Sequence, residues 1–304
     1  MSRIDFPPEW CKIAPMDEWD QYRLILAIHR AGTIRGAANH LGVNHATVSR
    51  RLAQVSSRFE SPVFDKVTGG YKASDLGLEL VAAAEDMELI ALAADRKSRA
   101  LGANLSGPIR VSMGEPIAQY LLQDELIQFT HMHPNIQLTL ETSIDFVDLN
   151  RSEADVVIRS TPNPPEHLVG RRLFPFYLCE YASKEYLAKT RVEDRKWLTF
   201  SKSQTVANWI VNSSHPEASI GFSSNDLVWL LAAAKAGEGM IRTACYLADP
   251  DPSLQRLPGA KPTQAQDLWV LTHPDLKNAP RVQHLMRHLA RAIEDKRNLI
   301  QGRL

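Results

Sequence analysis

The residues with the clearest chemistry surround Arg50, whose planar guanidinium can donate two hydrogen bonds to O6 and N7 of a guanine. Asn44 and His45 stand at the start of the same predicted helix, where they can contact base edges or phosphates. Ala46 or Thr47 can touch the methyl group of a thymine. Because the face around Arg50 is otherwise made of small side chains, the helix can enter a DNA major groove. The sequence therefore predicts a surface that reads duplex DNA.

An ordinary amphipathic helix with solvated arginines is the alternative interpretation, and the distribution of charge argues against it. Residues 21–72 contain eight Lys or Arg and two Asp or Glu, a net charge of +6, whereas the whole chain of 304 residues sums to zero. A segment that neutralises DNA phosphates needs such a local excess of positive charge. The candidate DNA-contacting residues are Thr33, Arg35, Asn44, His45, Ala46, Thr47, Ser49, Arg50, Arg51, Lys66 and Lys72.

Two short helices around a tight turn are predicted to position this surface. Gly42 can take the left-handed conformation that ends the first helix, and Asn44 can accept the amide hydrogen bonds that begin the second. The second helix carries an apolar stripe that can pack on the preceding helices, formed by Val48, Leu52, Val55 and Phe59. The pattern is typical of a DNA-binding helix-turn-helix.

A β-hairpin, here called the wing, is predicted directly after the second helix. Gly69 and Gly70 supply its turn, with Lys66 and Lys72 on either side. A Gly-Gly pair can also cradle a nucleotide phosphate, but no P-loop or dinucleotide fingerprint surrounds this one. The hairpin is therefore the favoured interpretation.

A long helix is predicted after the wing, with Ser74 as its N-cap. Apolar or small residues recur at alternating spacings of four and three, namely Leu76, Leu80, Ala83, Met87, Ile90 and Ala94. A seven-residue repeat keeps one seam facing a partner, so the segment is predicted to be a dimerising coiled-coil helix. Packing of this seam within its own chain is the alternative.

Turn-forming residues around positions 103–108 end the helical pattern, and strand and helix candidates alternate beyond them. This alternation predicts a parallel α/β architecture in two lobes with two chain crossings. The predicted division is an N-terminal extension (1–16), a winged helix-turn-helix domain (17–73), a linker helix (74–104) and a ligand-binding domain (105–304), with lobe I at about 107–178 and 268–304 and lobe II at about 179–267. The predicted fold class is thus a multi-domain α/β protein.

Ligands of open α/β sheets bind beyond the carboxyl ends of the strands, and two-lobed domains bind them between the lobes. The candidates at these places are Gly114, Glu115, Thr142, Ser143, Ser160, Thr161, Ser224 and Asn225. Each one alone can equally well cap a helix or a turn, but as a set they favour a binding cleft. Amide dipoles of a helix after Gly114 would favour an anion, whereas Glu115 repels an anion or recognises a cation, so the charge of the ligand stays open.

The chain contains ten histidines, so an enzyme or a metal-binding protein is an alternative to consider. His284 and His288 are four residues apart on a predicted helix and can share a metal, but a solvated helix face is favoured because no His-Glu-x-x-His pattern occurs. The chain also contains no Gly-x-Ser-x-Gly nucleophile elbow. We therefore predict no catalytic residue, no metal and no cofactor.

The three cysteines, Cys11, Cys179 and Cys245, lack the spacing of a metal site and are predicted to be free thiols. A redox pair of Cys179 with Cys245 is the alternative. Residues 1–16 contain no apolar core of a signal peptide, and the longest apolar run, 227–234, is too short to span a membrane. The predicted location is the cytoplasm, which disfavours an exported solute-binding protein.

Three runs of sequence together resemble the LysR-type transcriptional regulators: residues 31–52, 62–66 and 73–77. They include the Ala37-Ala38 pair and the Val48-Ser49-Arg50 signature, with Gly32-Thr33 where the family has Gly-Ser. Residues 146–159 and 168–173 resemble the regulatory domain of that family, which is similar to periplasmic solute-binding proteins. One departure lies at Arg242 and Thr243, where Leu-Pro is usual.

The resemblance implies a ligand-responsive, sequence-specific DNA-binding regulator, an activator or a repressor, that acts as a homodimer or homotetramer. The partners implied are a double-stranded DNA operator, a second copy of the chain, a small-molecule effector and RNA polymerase. His45, Ala46, Ser49 and Arg50 are implied to face bases, and Thr47 and Arg51 to lie near the DNA backbone. A two-lobed binding protein or enzyme without DNA binding, and a thiol-based redox regulator, are the alternatives.

Overall fold

The structure is a computed structural model that describes residues 16–100, 105–142, 154–201 and 206–303. Most of the predicted N-terminal extension, the candidate Ser143 and the strand candidate at 146–151 lie outside the described residues. The chain divides into two compact units, Met1–Asp95 and Arg96–Leu304.

Three helices and a hairpin make up most of the first unit. Its elements are α1 (Met16–Ala31), α2 (Ile34–Leu41), α3 (His45–Arg58), β1 (Phe64–Val67), β2 (Gly70–Ala73) and α4 (Asp75–Ala100), the last of which continues into the second unit. Gly42 ends α2 with a φ of 65°, and Asn44 begins α3 by accepting a hydrogen bond from the Ala46 amide at 3.0 Å. Both predicted helix ends are confirmed.

The core of the first unit lies between α1, α2 and α3. Val48, Leu52 and Val55 of the predicted stripe are buried, and Phe59, just after α3, is half-buried. They pack with the buried stretch of α1 from Leu24 to Ile28. This packing fixes which side of α3 faces outward.

The wing is an antiparallel pair of β1 and β2, with Phe64 opposite Ala73 and Val67 opposite Gly70. Gly69, in the turn between the strands, has a φ of 90°, a conformation that favours glycine. The predicted hairpin is confirmed. Gly70 lies so close to the turn between α1 and α2 that a Cβ atom there would be 2.1 Å from the carbonyl oxygen of Gly32.

Helix α4 has the predicted N-cap, because Ser74 Oγ accepts a hydrogen bond from the Gly77 amide at 3.1 Å. The predicted seam is only partly available to a partner. Leu80 is buried in the core of the first unit together with Val81 and Ala84, whereas Ile90 is 70% exposed. The seam prediction is therefore wrong in the first turns of the helix, because a buried side of α4 packs on its own chain there.

In the second unit, the described residues form a nine-stranded sheet with helices packed on it. Its strands are β3 (Gly107–Met113), β4 (Ile136–Thr142), β5 (Val156–Ser160), β6 (Val169–Ser183), β7 (Lys196–Phe200), β8 (Ser219–Ser224), β9 (Met240–Ala244), β10 (Leu254–Arg256) and β11 (Thr263–Thr272). Its helices are a π-helical turn (Ile117–Leu121), α5 (Gln123–Met132), α6 (Lys184–Lys189), α7 (Val206–Val211), α8 (Leu227–Lys235), α9 (Cys245–Ala248), α10 (Pro280–Asp295) and α11 (Arg297–Ile300), with 3-10 turns at Val192–Asp194 and Pro274–Leu276.

The strand order is β4-β3-β5-β11-β6-β9-β7-β8, with β10 on β6. Strands β4, β3 and β5 are parallel to one another, as are β9, β7 and β8, so each lobe has the parallel sheet that the sequence predicts. Between them, β11 and β6 pair antiparallel with each other and with their neighbours. The parallel architecture predicted for the lobes is thus interrupted at this centre, where two long antiparallel strands make the two crossings.

The pairing of β6 with β11 is irregular midway along the strands. The register shifts between Gln264 and Asp267 and again between Asp267 and Trp269, and Pro175 stands opposite Asp267. Proline has no N–H to donate to the ladder, and it is usually found at edges or bulges of sheets. This irregular point lies between the part of β11 that pairs with β5 and the part of β6 that pairs with β9.

The largest core of the second unit surrounds the sheet and includes Phe129, Tyr181 and Leu285. Within the described ranges, no helix combines the length and apolar character that a membrane crossing requires.

Candidate nucleic-acid interface and ligand cavity

The outward face of α3 is open to solvent. His45, Ala46, Ser49, Arg50 and Arg51 are all exposed, and Thr47 is half-buried. Arg50 and Arg51 form no ion pair with any described residue, so both guanidinium groups keep their donors for another molecule. This face therefore presents small side chains and the long guanidinium group of Arg50, which fits contact with a DNA major groove.

The other predicted DNA-contacting residues flank this helix. Asn44 is exposed and its side chain caps α3, while Thr33 is half-buried and caps α2 by accepting a hydrogen bond from the Gly36 amide at 3.0 Å. Arg35 is exposed in the first turn of α2. Lys66 and Lys72 are exposed on the two strands of the wing. The structure thus brings all eleven candidates into one unit, nine of them exposed and two half-buried.

A cavity of about 650 Å³ lies in the second unit. Four predicted ligand-contacting residues line it: Gly114, Glu115, Ser160 and Asn225. The cavity wall is mostly apolar, and its aromatic side chains are Phe176, Phe200, Trp209 and Tyr246. Lobe I supplies Glu115 and Ser160 and lobe II supplies Asn225, so both lobes contribute to one wall.

Three predicted ligand-contacting residues lie off the cavity wall. Thr142 is exposed at the end of the edge strand β4. The Thr161 hydroxyl bonds both the amide and the carbonyl of Asn163 at 3.2 Å, and Ser224 Oγ accepts from the Asp226 amide at 3.1 Å. Thr161 and Ser224 therefore make local turns and caps, as the alternative interpretation held.

Two arginines on the cavity wall were not among the predicted ligand-contacting residues. Arg159, on β5, is only 4% exposed and donates to the Ile158 carbonyl at 3.0 Å and to Ser112 Oγ at 2.9 Å. Burial lowers its pKa to about 10, so it remains charged at neutral pH. The signal that could have found it is a charged residue at the end of an otherwise apolar strand.

Arg242, on β9, is the second of these arginines. Its guanidinium carbon lies 5.5 Å from the centre of the Trp209 ring, and it donates to Thr263 Oγ1 at 3.0 Å. Burial lowers its pKa, and the charge of Glu180 partly opposes that effect. The sequence had marked this position as a departure from the LysR pattern without assigning it to the cleft.

The described cysteines are poorly suited to redox chemistry. Cys179 and Cys245 are both buried free thiols. Burial raises the pKa of Cys179 to about 11 and also raises the pKa of Cys245. Because the thiolate is the reactive form, these pKa values disfavour a redox sensor. Cys11 lies outside the described residues.

The histidine pair on α10 faces α5 rather than solvent alone. The rings of His284 and His133 are 4.6 Å apart, and His288 Nε2 lies 2.9 Å from the Glu125 carbonyl oxygen. The preferred interpretation of a solvated helix face is therefore wrong, because the half-buried pair packs between two helices. In the part of the chain that the structure describes, no group of three or more His, Cys, Asp or Glu side chains can hold a metal ion.

Two family models match the chain. The LysR substrate binding domain matches residues 102–294, and the bacterial regulatory helix-turn-helix protein model of the lysR family matches residues 19–78. The chain belongs to the LysR family of transcriptional regulators. The resemblance seen in the sequence is thereby confirmed, and with it a ligand-responsive, DNA-binding regulator of the LysR type.

Curated proteins similar to this chain include transcriptional regulators. The Mau operon transcriptional activator of Paracoccus denitrificans is 33% identical over 145 residues, which span 46% of this chain and 50% of that protein. The regulator CrgA of Neisseria meningitidis serogroup C (strain 8013) is 22% identical over 265 residues, 84% of this chain and 88% of CrgA. Both relatives are named as regulators of transcription.

Solved LysR-type structures share the fold. The structure of CrgA from Neisseria meningitidis has a TM-score of 0.55 at 19% identity and covers 90% of this chain and 98% of its own. The full-length virulence activator AphB of Vibrio cholerae has a TM-score of 0.56 at 15% identity and covers 89% of this chain and 97% of its own. The predicted fold class, an N-terminal helix-turn-helix followed by a two-lobed α/β domain, is confirmed.

Proposed function

We propose that the chain acts as a homodimer or homotetramer that binds a roughly two-fold symmetric DNA site through paired winged helix-turn-helix units. A small molecule in the 650 Å³ cavity then changes the arrangement of the subunits. The observation that carries this proposal is the exposed face of α3, where Arg50 has no ion pair with a described residue.

On DNA, His45, Ala46, Ser49 and Arg50 face the bases in our proposal. The guanidinium group of Arg50 is exposed and can donate two hydrogen bonds to one guanine. The remaining candidates contact phosphates and fix the register of the protein on the duplex, namely Thr33, Arg35, Asn44, Thr47, Arg51, Lys66 and Lys72. Because Lys66 and Lys72 extend from the wing, they are placed to reach the backbone beside the groove that α3 enters.

The effector is proposed to bind in the cavity that both lobes line. A molecule that contacts Glu115 and Ser160 of lobe I together with Asn225 of lobe II favours one angle between the lobes. It acts only if it binds one arrangement of the oligomer better than another. Such a change alters the spacing of the recognition helices and, through it, promoter bending or contact with RNA polymerase.

Exposed apolar side chains support self-association. Leu78, Leu89 and Ile90 are exposed on α4, which leaves an apolar surface on the long helix. Ile220 and Phe222 are exposed on the edge strand β8 of the sheet. Grouped exposed apolar residues commonly mark surfaces that another protein covers. The cytoplasm is the proposed site of action, since the buried thiols Cys179 and Cys245 are unpaired and the DNA partner is there.

Selection from a library of random-sequence duplexes with the full-length chain tests the proposal. We expect enrichment of a pseudo-palindromic site, and sedimentation of the complex should give an even number of chains per duplex. A strictly monomeric chain, or a library that shows no enrichment, would refute the function proposed.

A further inference from the structure

An ion pair joins the last turn of α1 to the middle of α4 within the first unit. Arg30 Nη1 donates to Glu88 Oε1 at 2.8 Å, and Arg30 Nη2 donates to Glu88 Oε2 at 2.6 Å. The two residues are 58 positions apart in the chain, and each side chain is 29% exposed. Two parallel hydrogen bonds from a guanidinium to a carboxylate fix an orientation as well as a distance. The pair therefore limits how α4 can turn relative to α1.

The pair extends a contact that α4 begins with apolar side chains. Leu80 and Ala84 are buried in the core of the first unit, and Glu88 is the next residue at the same spacing of four. Residues four apart lie on one face of a helix. The face of α4 that packs on the first unit thus continues from apolar side chains to a charged one, which Arg30 contacts.

The start of α4 is held by other contacts. The Ser74 amide donates to the Val63 carbonyl oxygen at 3.1 Å, and Ser74 Oγ donates to the Pro62 carbonyl oxygen at 2.8 Å. At 1.5 Å per residue, Glu88 lies about 20 Å along the helix from this point. A helix held at two separated points has a defined direction, whereas a helix held only at its start can swing.

The charge of Arg30 is used within the protein. Arg30 belongs to the basic segment at residues 21–72, whose net charge is +6, and a basic residue of such a segment can contact a DNA phosphate. Its guanidinium instead binds Glu88, and it stands in the last turn of α1, where the helix dipole favours a cation. These contacts separate Arg30 from the candidate DNA-contacting residues.

Small changes in the direction of α4 matter because the helix is long. Its 26 residues span about 40 Å. A swing of about 10° moves the far end of such a helix by about 7 Å, which is about two base-pair steps of B-DNA. In the dimer proposed above, the same swing changes the distance between the two recognition helices.

We propose that the bidentate ion pair of Arg30 with Glu88 fixes the angle at which α4 leaves the first unit, and through that angle the spacing of the two DNA half-sites that a dimer of this chain accepts. Both are positioning residues that do not themselves contact DNA. This inference rests on the proposed function, in which paired subunits bind a two-fold symmetric site.

Binding to duplexes with altered spacing tests the inference. The probes are the pseudo-palindromic duplex selected with the full-length chain and two versions of it, with two base pairs inserted or deleted between the half-sites. Fluorescence anisotropy gives the ratio of affinities for the selected and the altered duplexes, here called the spacing preference. We expect the parent chain to bind the selected duplex about tenfold more tightly than either altered one.

Arg30→Gln and Glu88→Gln should each reduce the spacing preference to about threefold, the size expected from the loss of one partly exposed ion pair. The two substitutions change the charge of the protein in opposite directions, so a general electrostatic effect on DNA binding would have opposite signs. Loss of the pair instead lowers the spacing preference in both variants. The double variant should lose no more than either single variant. Arg30→Lys should retain part of the preference, because it keeps the charge but not the planar fork.

Asp86→Asn is the matched control for Glu88→Gln. Asp86 is exposed on α4 two residues before Glu88, so its side chain lies on a different face of the helix. Removal of its charge should leave the spacing preference at the value of the parent chain. Urea unfolding curves of all variants establish that they fold.

Three results for the variants would overturn the inference: either single variant keeps the spacing preference of the parent, the two single effects add in the double variant, or Arg30→Gln lowers the slope of log affinity against log salt by about one, which would place Arg30 on a phosphate. A parent chain that binds all three duplexes equally would also refute it, while DNA binding by an oligomer stands. Failure of the proposed function looks different, because no pseudo-palindromic site would then be enriched or the chain would stay monomeric.

Discussion

The backbone N–H of Tyr71 donates a hydrogen bond to the carbonyl oxygen of Gly32 at 2.8 Å, which joins the wing to the turn between α1 and α2. Gly70 permits this approach because it has no Cβ atom. The position of the wing relative to the helices α1 and α2 is thereby set by a backbone contact as well as by side-chain packing.

Substitution of Gly70 by alanine should break that contact. The new Cβ would lie 2.1 Å from the Gly32 oxygen, so the wing must move, and we expect the free energy of unfolding to fall by about 3 kcal/mol. Urea denaturation measures the loss. Gly69→Ala is the control, because no atom lies within 4 Å of the Cβ that it adds. Its only cost is the strain of holding alanine at a φ of 90°, about 1 kcal/mol. Equal losses in the two variants would show that the close approach is unimportant.

Arg50 and Lys72 should affect DNA binding in different ways. Arg50→Ala is expected to lose about 1–3 kcal/mol of discrimination between the selected duplex and a random one. Lys72→Ala should weaken binding to both duplexes and lower the slope of log affinity against log salt by about one. Fluorescence anisotropy across a salt series measures both effects. If Arg50→Ala lowers the affinity for the specific and the random duplex equally, Arg50 does not contact a base.

Filling the cavity at Gly114 should abolish the effector response. Gly114→Trp places a large side chain on the cavity wall, and we expect a reporter gene to lose its response while the affinity for DNA is retained. Gly114→Ala is the control, since its Cβ would lie 3.8 Å from Pro116 Cδ, an ordinary contact. An intact response in the tryptophan variant would place the effector elsewhere.

Ile90 should contribute to self-association without contributing to the core. It is 70% exposed on α4, so Ile90→Asp should leave the unfolding curve of the chain almost unchanged and shift sedimentation toward smaller species. Val192→Asp is matched to it, because Val192 is 61% exposed on a 3-10 turn of the second unit. If Ile90→Asp leaves the sedimentation of the oligomer unchanged, a second subunit does not cover this surface of α4.

The buried thiols should react slowly at neutral pH. The raised pKa of about 11 at Cys179 lowers the fraction of thiolate at pH 8, and alkylation of the folded chain should accelerate only as the pH rises toward that value or the chain unfolds. Mass spectrometry after iodoacetamide treatment, in a Cys11→Ser background, gives the rates for Cys179 and Cys245. Rapid alkylation of either thiol in the folded chain at pH 7 would instead support a thiol-based redox regulator.

The DNA-binding unit could be predicted well from the sequence because its signals are local. Gly42 and Asn44 mark helix ends through their own backbone and side-chain preferences, and the spacing of Val48, Leu52 and Val55 defines the buried stripe. The seam of α4 was harder to predict, since a seven-residue repeat does not tell whether Leu80 meets its own chain or a partner.

The cavity in the second unit depends on contacts between distant parts of the chain, and less of it could be predicted. Gly114 and Asn225 directly follow strands and Ser160 ends one, so the rule that ligands bind beyond the carboxyl ends of strands could identify them. Arg159 and Arg242 meet the cavity only after β6 and β11 bring the lobes together, and no local pattern indicates that. Thr161 and Ser224 have the right residue type but make local hydrogen bonds instead.

The interrupted ladder at Pro175 and Asp267 has a mechanical consequence. Both connections between the lobes pass through this stretch, where proline leaves one donor missing and the register of β11 shifts twice. Regular pairing on either side resists bending more than this point does. We therefore expect any change in the angle between the lobes to concentrate at this point, because fewer backbone hydrogen bonds oppose it.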